Sequence, residues 1–178
     1  MRRVLPCLLI LLLLPLAACG GDDDDSGEPA ANTTSTKTSE EPSPSAQREA
    51  LEDTSVKPVI PKPTGSPPRR LEKEDIVKGK GAPAKNGDTV IVQYVGVSFS
   101  TGEEFDASWD RGQPFPVALG TGSVIQGWEK GLVGIRKGGR RMLTIPPELA
   151  YGREGYPPAI APNETLVFVI DAVDVQPG

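Results

Sequence analysis

The stretch that most constrains this chain is the run Thr165-Leu166-Val167-Phe168-Val169-Ile170-Asp171-Ala172-Val173-Asp174-Val175. Its first half is apolar at odd and even positions alike. Side chains alternate between the two faces of a strand, so such a run must be covered on both faces. It is predicted as a long central strand. Other strands are predicted at Thr89–Val95, after the Gly87-Asp88 turn, and at Arg140–Ile145, between Gly138-Gly139 and Pro146-Pro147. Thr101-Gly102 is a turn inside Val97 to Phe105, so a further strand follows Val97.

One segment has a different period. Val124, Trp128 and Leu132 recur every four residues, and Ile125 lies seven before Leu132. That is a short amphipathic helix, with Ser123 as its predicted N-cap. Gly127 and Gly131 are poor helix formers, and glycine there lets a helix lie close against a sheet. One curved antiparallel sheet around one short helix is the α+β arrangement these elements predict.

The chain has 178 residues and no histidine, and its two cysteines, Cys7 and Cys19, both lie near the N-terminus. This excludes Ser-His-Asp and Cys-His catalysis and His-ligated metals. Past Cys19 it also excludes thiol nucleophiles, disulfides and zinc thiolate clusters. The formal charge of −5 disfavours wrapping a nucleic-acid backbone, so no nucleic-acid partner is expected. With 20 glycines and 19 prolines the chain is rich in turns and linkers. No cofactor or metal is called for. The run Asp22–Asp25 lacks the alternating spacing of a calcium loop, and Gly79-Lys80-Gly81 is too short for a phosphate loop.

Arg2 and Arg3 precede an apolar run from Val4 to Leu16. The run is shorter than the roughly 20 residues that cross a bilayer, and the layout is that of a signal peptide over residues 1–18. It ends Leu16-Ala17-Ala18-Cys19-Gly20, which resembles the bacterial lipobox. That resemblance implies cleavage before Cys19, lipidation of its thiol, and an extracytoplasmic protein tethered to the cell membrane through its acyl chains. Residues 19–70 carry Asp, Glu, Ser, Thr and Pro with no aromatic residue, and are expected to be a disordered leash spanning about 40 Å root-mean-square. Within it, Ala50-Leu51-Glu52 has only a transient helical tendency. Residues 71–178 are the expected folded domain. No repeat, heptad or dimer signature is present, so a monomer is expected.

Phe105-Asp106-Ala107-Ser108, Pro114-Phe115, Val124-Ile125-Gln126-Gly127-Trp128 and Ala150-Tyr151-Gly152 follow one another in an order and spacing that resembles the FKBP family of peptidyl-prolyl isomerases, from about Gly81 to Val175. The resemblance implies a five- or six-stranded antiparallel sheet wrapped around one short helix. It also implies a pocket in which Tyr94, Phe105, Phe115, Val124, Ile125, Trp128, Tyr151, Ile160 and Phe168 enclose a proline ring, with Trp128 as the floor. Asp106 would sit at the rim with Arg111 and Tyr94. The backbone N–H of Ile125 and the hydroxyl of Tyr151 would hold peptide carbonyls. On this resemblance Phe105, Asp106, Trp128 and Tyr151 are the catalytic candidates, and the other pocket residues, with Tyr156, bind substrate. The implied partners are proline-containing polypeptides and macrolide inhibitors. The chain departs from the family at Tyr156 (often His), Ala159 (Ile) and Ser123 (Glu), all on the rim or flap, where they bear on sequence preference and macrolide affinity.

The chemistry suits the composition. Turning an X–Pro bond breaks no covalent bond; the barrier of about 18–20 kcal/mol is lost amide resonance. No nucleophile, metal or cofactor is needed. The expected function is isomerisation of X–Pro bonds during folding of exported proteins. Two alternatives stand beside it: an FKBP-fold peptide-binding module with little turnover, and an envelope spacer with no pocket. Asp106 either stabilises the twisted amide or anchors Tyr94 and Arg111. Glu103-Glu104 and Arg140-Arg141 are expected as solvated charges.

Overall fold

The computed structural model describes residues 44–178. The expected signal peptide, Cys19, the acidic run and the expected leash as far as residue 43 lie outside the described residues. Six antiparallel strands form one sheet: β1 (Glu72–Val77), β2 (Thr89–Ser98), β3 (Glu104–Ala107), β4 (Phe115–Ala118), β5 (Arg140–Ile145) and β6 (Leu166–Gln176). The order is β1-β5-β6-β2-β3, and β4 also pairs with β2. The doubly apolar run is thus the central strand β6, as its pattern predicts. The edge strand β1 and the short β4 carried no clear alternating pattern and were not foreseen.

Each face of β6 has its own core. Leu166, Phe168, Ile170 and Ala172 pack with Val90, Val92, Leu143, Ile145, Trp128 and Leu132 on the helix side. Val167 and Val169 point the other way and pack with Val95, Val97, Leu51 and Ile60. The helix α3 (Gln126–Gly131) lies on the first face. A Cβ on Gly127 would stand 2.3 Å from Ile145 Cγ2, and one on Gly131 would stand 2.5 Å from Leu143 Cδ1. Both glycines are therefore required by the close approach of helix and sheet.

Ser123 does not cap this helix. Ile125 occupies the N-cap position and no side-chain cap bond is made. Instead Glu129 reaches back and accepts the backbone N–H groups of Gly120 at 2.6 Å and Gly122 at 2.8 Å. A carboxylate in the first turn does this better than a hydroxyl, since it also meets the positive end of the helix.

The second face overturns the expectation for the end of the leash. Residues 44–70, expected to be disordered, are ordered. The helix α1 (Pro44–Glu52) and the extended chain after it form a strap across the sheet. Leu51 is 7% exposed and Ile60 8%. The strap has too few apolar residues to fold alone, but β2 and β6 present Val95, Val97, Val167 and Val169 for them to cover.

Arg140 and Arg141 correct a second expectation, because neither is solvated: their exposures are 0% and 6%. Arg140 forms a buried ion pair with Asp171, whose carboxyl is pushed up by burial and pulled back by the guanidinium. Arg140 also donates to the strap carbonyls of Leu51 at 2.9 Å, Asp53 at 2.9 Å and Val56 at 3.1 Å. Arg141 donates to the carbonyls of Gly131 at 2.7 Å and Val133 at 3.1 Å, at the C-terminal end of α3, and pairs with Asp75 on β1. A cation at a helix C-terminus meets its free carbonyls and the negative end of its dipole.

Candidate functional site

The site begins at a split in the edge of the sheet. Beside β2, β4 pairs with Thr89–Val92 and β3 with Val95–Val97, leaving Gln93 and Tyr94 without a strand partner on that side. The one-turn helix α2 (Ser108–Arg111) occupies the gap. Ser108 is fully buried there, and its Oγ accepts the Tyr94 N–H at 2.8 Å while donating to Gln93. A hydroxyl thus takes the place of the missing ladder bond. Gly112, with φ 65°, ends α2 in a left-handed cap.

This corner aims three polar side chains at one point. Tyr94 donates its hydroxyl proton to Asp106, and Arg111 donates one arm to Asp106 and the other to the Tyr94 oxygen at 2.7 Å. Burial, reinforced by the hydrogen bond to Asp106, pushes the Tyr94 phenol up to about 12, against an opposing pull from Arg111. Asp106, followed by Tyr94, raises the Arg111 guanidinium further.

Beneath this rim lies a cavity of about 360 Å³, lined by Tyr94, Phe105, Asp106, Phe115, Ser123, Val124, Ile125, Trp128, Tyr151 and Phe168. Its rings meet edge to face. The Trp128 centroid lies 5.0 Å from Tyr94 and 5.2 Å from Phe168, at interplanar angles of 84° and 85°. Phe105 stands perpendicular to Phe168 at 5.5 Å. Such T-shaped contacts make a rigid apolar box. Trp128 is 4% exposed and forms its base. At the lip, the Ile125 carbonyl takes the N–H groups of Trp128 and Glu129. Tyr151 is half out of the protein, at 39% exposure, and its phenol is raised by burial first and then by the Asp106 charge.

Of the residues expected to line the pocket, eight do so together with Asp106 at the rim, and Arg111 stands outside the lining, bound to the Asp106 rim. Ile160 does not line the cavity. It is 3% exposed in the helix-side core, where it closes a small bridge with Tyr156. That bridge explains the difference: paired N–H and C=O groups at 2.9 Å turn the Pro157-Pro158 flap outward and Ile160 inward. Tyr156 is 63% exposed and reaches the site only through Tyr151, whose ring is 5.7 Å away.

Two contributors were not singled out from sequence. Gly96 lies under the cavity wall, where a Cβ would stand 2.7 Å from both the Phe105 and Phe168 rings. A glycine inside a β-branched strand is the available signal for such an approach. Ser108 closes the Phe105–Ser108 motif, and its role depends on the split edge, which no local pattern records. A larger hollow of about 840 Å³ lies elsewhere, lined by Lys80, Pro83, Ala84, Lys85, Val133 and Lys137 among others. Lysines line it and no aromatic residue does, whereas the smaller cavity joins aromatic walls to a polar rim, so the smaller cavity is the candidate site. Among the described residues, no cluster of carboxylate, thiol or imidazole groups could hold a metal ion.

Comparison with known proteins agrees with this geometry. The family profile described as FKBP-type peptidyl-prolyl cis-trans isomerase matches residues 80–173. An FK506-binding protein of Streptomyces anulatus is 55% identical over 120 residues, covering 67% of this chain and 97% of that protein. The FKBP-type peptidyl-prolyl cis-trans isomerase FkpA of Escherichia coli K12 is 50% identical over 100 residues, covering 56% of this chain and 36% of that protein. The crystal structure of AtFKBP13 superposes with a TM-score of 0.53 at 38% identity, over 58% of this chain and 91% of that one.

Proposed function

This chain belongs to the family of FKBP-type peptidyl-prolyl cis-trans isomerases, and from that premise we propose how its pocket turns an X–Pro bond and where it works. The proline ring enters the aromatic box and rests on Trp128. The Ile125 N–H and the Tyr151 hydroxyl hold the flanking peptide carbonyls. The planar amide is stabilised in water by charge separation between its oxygen and nitrogen. A dry apolar box withdraws that solvation, and its shape holds the twisted form better than the planar one. Favouring the twist by about 5–6 kcal/mol gives about 10⁴-fold acceleration. Asp106 acts by anchoring Arg111 and Tyr94: its carboxylate is already engaged by both, which leaves it a structural group at the rim.

The observation that carries this reading is the four-ring cage of Tyr94, Phe105, Trp128 and Phe168 at a cavity of about 360 Å³, roomy enough to admit a proline ring. A protease-coupled assay on X–Pro peptides tests it. The mature chain should accelerate isomerisation, and Phe105→Ala and Trp128→Ala should each lower kcat/KM at least tenfold. An uncatalysed rate with the intact chain would overturn the reading. Macrolides of the kind named for its relatives should compete for the same box.

The same proposal places the enzyme outside the cytoplasm, as a monomer held to the membrane by lipid on Cys19, where it acts on exported proteins whose slow prolyl steps take tens of seconds uncatalysed. What supports this is the charged start, the short apolar run and the cysteine after Leu16-Ala17-Ala18. Labelling of cells with a fatty-acid probe should mark the chain, and Cys19→Ser should abolish the label.

A further inference from the structure

We propose that Lys57, on the strap, is a positioning residue of the isomerase site: by holding Asp110 it keeps Arg111 available to Asp106 and Tyr94. The inference rests on the isomerase reading above. Lys57 Nζ lies 2.7 and 2.9 Å from the two Asp110 oxygens and 2.8 Å from Glu104 Oε1. Glu104 opens β3, which carries Phe105 and Asp106, and Asp110 immediately precedes Arg111 in α2. One ammonium therefore ties together both ends of the corner that frames the rim.

The corner is built of short elements. The strand β3 has four residues, α2 is a single turn, and its N-terminus has no side-chain cap. Asp110 precedes Arg111 in the chain, and its carboxyl feels the guanidinium charge. Unless occupied, it competes with Asp106 for the same cation. Lys57 occupies it, and the Asp110 carboxyl is lowered chiefly by that bond. The amine stands on fixed ground. The carbonyl of Val56, one residue earlier, accepts from buried Arg140, and Ile60, three residues later, is in the strap-side core. The ion pairs are too exposed to matter for global stability, with side chains 34%, 37% and 60% accessible. Their consequence is local: which carboxylate Arg111 faces.

The test uses the full chain, with Lys57→Met, Lys57→Arg and the double variant Lys57→Met/Asp110→Asn, read by kcat/KM on X–Pro peptides and by the Tyr94 ¹³Cζ chemical shift. Lys57→Met should lower kcat/KM about fivefold and move the Tyr94 signal, with the melting temperature little changed. Lys57→Arg should retain both properties. Removing the competing charge in the double variant should restore both. A Lys57→Met variant within twofold of the parent and with an unmoved Tyr94 signal would overturn the proposal. So would a loss that the double variant does not recover, which would mark a merely structural contact. If the parent chain turns over no peptide, the isomerase reading fails, and the Tyr94 signal alone still decides whether Lys57 sets the rim.

Discussion

Arg140 and Arg141 are neighbours on β5, and their guanidinium groups lie on opposite faces of the sheet. One locks the strap through three carbonyls and Asp171, and the other locks the end of α3 and β1. Strand alternation turns a pair of like charges into two separate fasteners. Each relieves a different burden: strap carbonyls without strand partners, and the last carbonyls of a helix too short to bond them itself.

Breaking the first fastener on one side should be costly. Arg140→Met strands a buried Asp171 carboxylate and three strap carbonyls, and the expected loss is about 3–5 kcal/mol, read from urea unfolding. The double variant Arg140→Met/Asp171→Leu removes the lone charge with its partner. It should recover a large part of the loss. Equal stability of the single variant and the parent would show that the strap does not depend on this lock.

Cutting away residues 1–70 should destabilise the sheet even though the family match begins at residue 80. The cut exposes Val95, Val97, Val167 and Val169 and frees Arg140. A chain starting at Leu71 should unfold at lower urea and bind a hydrophobic dye, whereas one starting at residue 44 should behave like the whole chain. Matching midpoints for the two truncations would refute the idea that the strap is part of the fold.

How far the sequence could be read follows from which interactions are local. The strand at Arg140–Ile145 and the central β6 were legible because alternation and turn residues lie next to each other in the chain. The aromatic box was legible only through family resemblance, since Tyr94, Trp128 and Phe168 come from separate elements and each alone reads as core. The strap was misread because its composition is that of a linker. The same sequence held the missing half of the argument: a strand apolar on both faces demands a second cover, and residues 51–60 supply it. Arg140 and Arg141 were misread for a related reason. Whether a charge is solvated depends on partners 31 to 89 residues away for Arg140 and 8 to 66 away for Arg141.

Gly96→Ala should close the pocket from below. Its added Cβ would stand 2.7 Å from Phe105 Cζ and Phe168 Cε1, closer than such atoms approach, so both of these cavity-lining rings must shift. Overpacking of this kind costs about 1–3 kcal/mol, and kcat/KM should fall by about tenfold or more. The result to look for is a larger loss in activity than in stability. A variant as active as the parent would show that neither ring needs its present place.

The Tyr94 phenol should titrate near pH 12, and the stability of the protein should follow it. Burial and the hydrogen bond to Asp106 raise the folded value from 10.0 to about 12. A raised folded value means that the neutral phenol is favoured in the native state. Below pH 10 both states hold the proton and this contribution is complete. Between pH 10 and 12 the unfolded chain releases it first, so the native state loses ground, by about 2–3 kcal/mol in all. Tyrosinate absorbance followed against pH should show one late-titrating group that is absent in Tyr94→Phe. Urea unfolding of the parent should weaken across the same interval by more than that of the variant. A Tyr94 signal titrating at the ordinary value would mean that its hydroxyl is not held between Asp106 and Arg111, and the rim of the site would have to be redrawn.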